Sequence, residues 1–146
     1  MSLESRAPSA DTRRRQLVWF LRILGGLDLL ALLAVVMPFS VMNGMHRLVG
    51  LGDMPDAPLM GYLARSASML YAFLGGLVLY MSFDVERYRP LLDVIGRIVL
   101  VCGIMLMGID LVERLPVWWI CLEGPTVLGL GGVLLWLLRR SSPEID

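Results

Sequence analysis

Residues 91–112 read LLDVIGRIVLVCGIMLMGIDLV, and this stretch decides the fold. Only Asp93, Arg97 and Asp110 carry charge in it, and everything from Ile98 to Ile109 is apolar or glycine. A helix rises about 1.5 Å per residue, so a hydrocarbon layer of about 30 Å needs about twenty such residues. Lipid rather than water is the natural solvent for this segment. Three further stretches meet the same length: 17–42, 59–83 and 117–138, with the quoted one third in order. Pro55, Pro58, Pro90 and Pro116 precede or open the last three, where the missing N–H of proline costs least.

Composition agrees. The chain has 146 residues, 57% of them hydrophobic, and a mean hydropathy of +0.71; soluble domains hold roughly 45–50% apolar residues. Positive charge sits mainly on one side of the four spans: Arg13, Arg14 and Arg15, then Arg87 and Arg89, then Arg139 and Arg140. The opposite side has Arg47 and Arg114. The positive-inside rule makes the first side cytoplasmic and puts both termini there. Trp19 and Trp136 mark the inner boundary, and Trp118 and Trp119 the outer one. The first span follows an arginine run, as a signal peptide would. It is too long for one and carries Arg22 and Asp28, so it reads as a retained helix.

The expected fold is an all-α membrane protein, a four-transmembrane-helix bundle occupying 17–140. Residues 1–16 are polar and aperiodic and read as a disordered cytoplasmic tail, with a second tail at 141–146. The first outer loop, 43–58, opens with the mixed stretch Met42–Leu51, which suits a short interfacial helix. Gly61, Arg65, Ser68, Ala72 and Gly75 share one face of the second span. Asp93, Gly96, Leu100, Gly103, Met107 and Asp110 share one face of the third. Such small-residue lines let membrane helices approach closely.

A charge in the hydrocarbon layer costs roughly 2.5–3.5 kcal/mol, so it normally faces a partner or water. Arg65 and Glu123 are each the seventh residue of a span that starts outside, roughly 9 Å deep by the helical rise, and are candidate ion-pair partners. With Asp110, and with Asp28 deeper, they form an outer cluster and the candidate binding site. Glu123 also precedes Gly124-Pro125, where proline leaves the Cys121 carbonyl without its donor and predicts a kink beside the acid. Arg22, Asp93 and Arg97 form an inner group, read as structural ion pairs, with Asp93 and Arg97 spaced i,i+4.

Several chemistries lose support. All thirteen basic residues are arginine, which excludes a lysine Schiff base. His46 stands alone in the outer loop, too few imidazoles for a histidine-built metal or haem site. Cys102 and Cys121 lie in apolar runs without a C-x-x-C and read as packing residues. No nucleotide loop or Ser-His motif appears, and no basic stripe with interleaved aromatics supports nucleic-acid binding. No catalytic residue and no cofactor are assigned.

Tyr62-Leu63-Ala64-Arg65, Gly75-Gly76-Leu77-Val78-Leu79, Glu86-Arg87-Tyr88-Arg89-Pro90-Leu91 and Leu21-Arg22-Ile23-Leu24-Gly25-Gly26 together resemble the DoxX-like group of small bacterial four-helix membrane proteins. The resemblance implies four spans in a bacterial inner membrane. Some members of that group are associated with quinone-linked sulfur oxidation or transport-like roles, and no catalytic motif carries over. Three functions follow as expectations. The first is a binding or accessory protein whose outer polar pocket takes a lipid, quinone, small solute or partner subunit. The second is a homodimeric proton- or ion-coupled transporter using Glu123 and Asp28. The third is a subunit of a quinone-linked oxidoreductase whose redox centre comes from a partner. The bilayer itself is the first partner, with a homo-oligomer or membrane subunit as the second.

Overall fold

The computed structural model describes residues 10–141. Those residues are all-helical, and four helical stretches are long and apolar enough to cross a membrane: Asp11–Val36, Pro58–Met81, Val85–Val112 and Val117–Arg140. At most 22% of each span is buried inside the protein, so most of its apolar surface is left for lipid. The chain is an all-α, multi-pass membrane protein. It divides into two compact units, one formed by 21–83 and the other by the segments up to Phe20 and from Asp84 onward.

The helices are α1 (Ala10–Leu29), α2 (Leu32–Val36), α3 (Phe39–Leu48), α4 (Pro58–Met81), α5 (Val85–Val112) and α6 (Val117–Arg140). α1 starts before the expected span. Residues 10–16, expected in a disordered tail, are helical, supported by an Asp11–Arg15 i,i+4 ion pair of 3.1 Å and by Arg14 facing Glu86 at 3.7 Å. The rest of that tail, and residues 142–146 of the other, lie outside the described residues.

The first span also ends earlier than expected, at Val36 rather than Met42. Pro38 is the cause. It disfavours a helical conformation at the residue before it, and Met37 is extended at φ −68°, ψ 135°. The chain then restarts as α3, with Pro38 in the N-cap position. Within the span, the helix tightens beside Asp28: the amides of Leu30, Ala31, Leu33 and Ala34 bond back three residues, to Leu27, Asp28, Leu30 and Ala31. That is 3₁₀ geometry in the middle of a span.

α5 begins at Val85 instead of 91. Asp84 caps it, accepting from the Arg87 amide at 3.2 Å. Pro90 therefore lies inside the helix, and Arg87 and Arg89, expected in a loop, belong to its first turns. The α5–α6 turn is a Schellman motif. Leu115 N bonds Asp110 O at 3.0 Å and Arg114 N bonds Leu111 O at 3.3 Å, with Arg114 left-handed at φ 56°.

In the 21–83 unit, α1 crosses α4 at glycine. A β-carbon on Gly25 would lie 2.7 Å from Gly75 O, and one on Gly75 would lie 2.6 Å from Asp28 Cβ. In the other unit, α5 and α6 run antiparallel in steady register. Gly96 meets Leu135, Gly103 meets Leu128, and Gly124 and Gly131 meet Met107 and Leu100. Each step forward on α5 is matched by an equal step back on α6. These are close backbone approaches of the kind small residues permit in membranes. Among the described residues, Leu17, Val85, Leu92, Leu134, Leu137 and Leu138 are the buried apolar side chains of this unit. Cys102 and Cys121 are exposed on the apolar surface, not packed inside.

Candidate functional site

The charged residues expected inside the membrane fall into both units. Arg22, Asp28 and Arg65 belong to the 21–83 unit, and Asp93, Arg97, Asp110 and Glu123 to the other.

Arg65 is set by the break at Pro38. Its Nε donates to Val35 O at 3.1 Å and its Nη2 to Met37 O at 3.1 Å. Nη1 donates to Gly61 O at 3.4 Å, one turn back on its own helix. The last carbonyls of a helix have no intrahelical donor, and in lipid each must be satisfied by protein. The planar guanidinium fork of Arg65 supplies that donor set at the end of α2. Asp28 lies on the α1–α4 seam, against Gly75. Arg22 places its guanidinium 5.4 Å from the centre of the Phe83 ring, a cation–π contact.

In the other unit, Asp93 accepts from Arg97 Nε at 2.8 Å, one turn apart on α5. Asp110 is 2% exposed, and its Oδ2 is buried without a hydrogen-bond partner. It stands in the last turn of α5, on the α6 side, one turn beyond Met107, which packs on Gly124. Glu123 is half-buried on α6 and accepts a hydrogen bond from Trp119 Nε1. An open groove of about 310 Å³ runs along this face of α6, lined by Trp119, Leu122, Glu123, Thr126 and Val127. Apart from the exposed Glu113 in the turn itself, the turn end of the α5–α6 pair thus offers two carboxylates on its helices. One is buried and unpartnered; the other is oriented by an indole in a mostly apolar groove.

Sequence reading passed over three arrangements. Arg89 reaches across to the end of α6, donating to Leu138 O, Ser141 O and Ser141 Oγ. Nothing local signals this, since its partners lie about fifty residues away in the chain. The Trp119–Glu123 bond did carry a signal, the i,i+4 spacing. In the loop after α3, Asn43 accepts from Met54 N at 2.7 Å, Arg47 faces Asp53 at 3.4 Å, and His46 Nδ1 donates to Gly52 O at 2.9 Å. His46 therefore pins a turn in which Gly50 and Gly52 are left-handed. Among the described residues, no group of three or more His, Cys, Asp or Glu side chains could hold a metal ion.

Comparison of the chain with protein-family models, with curated proteins and with solved structures gives no match.

Proposed function

We propose that this is a small membrane binding or accessory protein of the DoxX-like kind, seated in a bacterial inner membrane with both termini cytoplasmic. The α5–α6 turn then faces outward, and α3 lies in the outer interface with Val41, Met45 and Leu48 toward lipid; these three are exposed and share a helical face. The ligand binds at the turn end of α5 and α6. It is a lipid, quinone or small solute with a polar head, or a segment of a partner subunit.

The single observation that carries this reading is Asp110 Oδ2. A buried polar atom without a partner costs about 1–3 kcal/mol, and the few that persist in folded proteins need a reason. Ligand binding is such a reason, and at the same end of the helix pair the groove beside Glu123 and Trp119, which Asp110 does not line, supplies an apolar surface with one directed polar group, as ligand sites do. Native mass spectrometry of the protein extracted gently from its own membrane tests it. A small molecule or subunit retained by the wild type and lost from Asp110→Asn supports the reading. A bare chain from both removes it.

A second reading rests on a different observation, the 3₁₀ tightening beside Asp28. Interrupted helices next to a carboxylate recur at coupling-ion sites of transporters, and mid-helix 3₁₀ turns often mark hinges. In this reading a homodimer moves a small solute with Glu123 and Asp28 as the coupling acids. Transport that persists unchanged in Glu123→Gln and Asp28→Asn would sink it.

A further inference from the structure

The opposite end of the α5–α6 pair carries a second groove, of about 390 Å³, lined by Arg89, Pro90, Asp93, Leu138 and Arg139. It is far from Asp110 along both helices, and the proposed function leaves it unused. We propose that this groove binds the phosphodiester headgroup of an anionic phospholipid, with the Arg139 and Arg89 guanidinium groups as its cationic walls.

Charge is the first reason. Among the described residues, two carboxylates lie at or near the groove, and both are already engaged. Asp93 is held by Arg97 at 2.8 Å, and Glu86 faces Arg14 at 3.7 Å and Arg89 at 3.8 Å. Two of the carbonyls ending α6, which would repel an anion, are also occupied: Leu138 O by Arg89 and by Ser141 Oγ, and Arg140 O by Arg13 Nη1. Among the described residues, the two lining arginines outnumber the one lining carboxylate, Asp93, which Arg97 already pairs. Arg89 is fixed there by its bonds to the end of α6, so little side-chain freedom is lost on binding.

Depth is the second reason. Arg140 stacks on Trp136, 4.1 Å from the ring centroid, and Arg87 lies 5.6 Å from that of Tyr88. Aromatic rings with cationic partners at span ends sit at headgroup level. From the groove, the exposed side chains Leu91, Val94 and Ile98 continue along α5 at helical spacing and give acyl chains an apolar track. A phosphate bearing two acyl chains fits the whole surface; a free phosphate would use only its charged end.

The test uses the purified full chain in nonionic detergent with equal amounts of phosphatidylglycerol and phosphatidylcholine, counting retained lipids by native mass spectrometry. The wild type is expected to retain phosphatidylglycerol preferentially and to lose it as salt is raised. Arg139→Gln should lower that retention about fivefold, the loss expected for one arginine at a membrane surface. Arg114→Gln, at the other end of the pair, should leave it unchanged. Equal retention of the two lipids by the wild type, salt-insensitive retention, or undiminished retention by a helical Arg139→Gln would each overturn the proposal.

Discussion

Arg65 donates from Nη2 to the carbonyl oxygen of Met37 at 3.1 Å, and this bond ties α4 to the point where the first span stops being helical. Together with the Nε bond to Val35 O, it makes the arginine a cap for a helix end inside a membrane protein. The role needs the fork rather than the charge alone, because two acceptors on different residues are met at once. Arg65→Lys should therefore fail to rescue. We expect a loss of about 2 kcal/mol in denaturant unfolding in mixed micelles, the scale of charge-assisted hydrogen bonds. Wild-type stability in Arg65→Lys would show that only a positive charge is required.

Gly25 and Gly75 offer a steric prediction with an internal control. A β-carbon at Gly25 would meet Gly75 O at 2.7 Å and Leu79 N at 2.8 Å, both backbone atoms that cannot rotate away. Gly25→Ala should cost about 1–3 kcal/mol, as overpacking does. At Gly26 a β-carbon meets nothing within 4 Å, and alanine is the better helix former. Gly26→Ala should be neutral or slightly stabilising. Equal effects from the two substitutions would show that α1 and α4 do not approach at this glycine.

Arg114 holds the left-handed position of the Schellman turn, at φ 56°. A side chain there costs roughly 1–2 kcal/mol that glycine avoids. Arg114→Gly should raise unfolding stability by about 1 kcal/mol. A fall would mean that the arginine side chain makes a contact worth more than the backbone strain.

What could be read from the chain follows from the length scale of each signal. Four spans were legible because twenty apolar residues in a row have few alternative uses. The glycine faces at Gly61/Ala72/Gly75 and Gly96/Gly103 were legible because helical periodicity is local, and these residues are buried. The first span was misjudged at its end because Pro38 sits among Val35, Val36, Met37 and Phe39, where hydropathy runs on although the helix does not. The start of α5 was misjudged for the converse reason. Pro90 looks like a boundary, but Asp84 caps the helix further back. The pairing of Asp93 with Arg97 needed only a spacing of four, whereas the bonds of Arg65 to Val35 and Met37 join residues about thirty apart. That arginine reads in the sequence as a charge awaiting a carboxylate; within its unit it is a donor to main-chain oxygens.

Asp93 and Arg97 form a close pair at 2.8 Å, yet both side chains are exposed, at 39% and 68%. Where the long Arg97 side chain carries the pair to the headgroup layer, water and salt screen it and two side chains must be held, so such an exposed i,i+4 pair contributes little. A double-mutant cycle with Asp93→Asn and Arg97→Gln should give a coupling of about 0.3–0.5 kcal/mol that shrinks at high salt. A coupling several times larger would place the pair in a dry environment.

Asp110 gives the prediction that separates function from folding. Its Oδ2 is buried and unpartnered, in a residue only 2% exposed. Removing an unsatisfied polar group in favour of an apolar one of similar shape is neutral or stabilising, whereas removing one half of a satisfied pair is costly. Asp110→Leu is nearly isosteric and should therefore unfold at higher denaturant, by about 1–3 kcal/mol, while abolishing retention of whatever co-purifies with the wild type. Gained stability with lost binding is the mark of a residue kept for its ligand at the expense of the fold. Destabilisation by Asp110→Leu would mean that the carboxyl group satisfies a partner within the protein, and Asp110 would then be a structural residue.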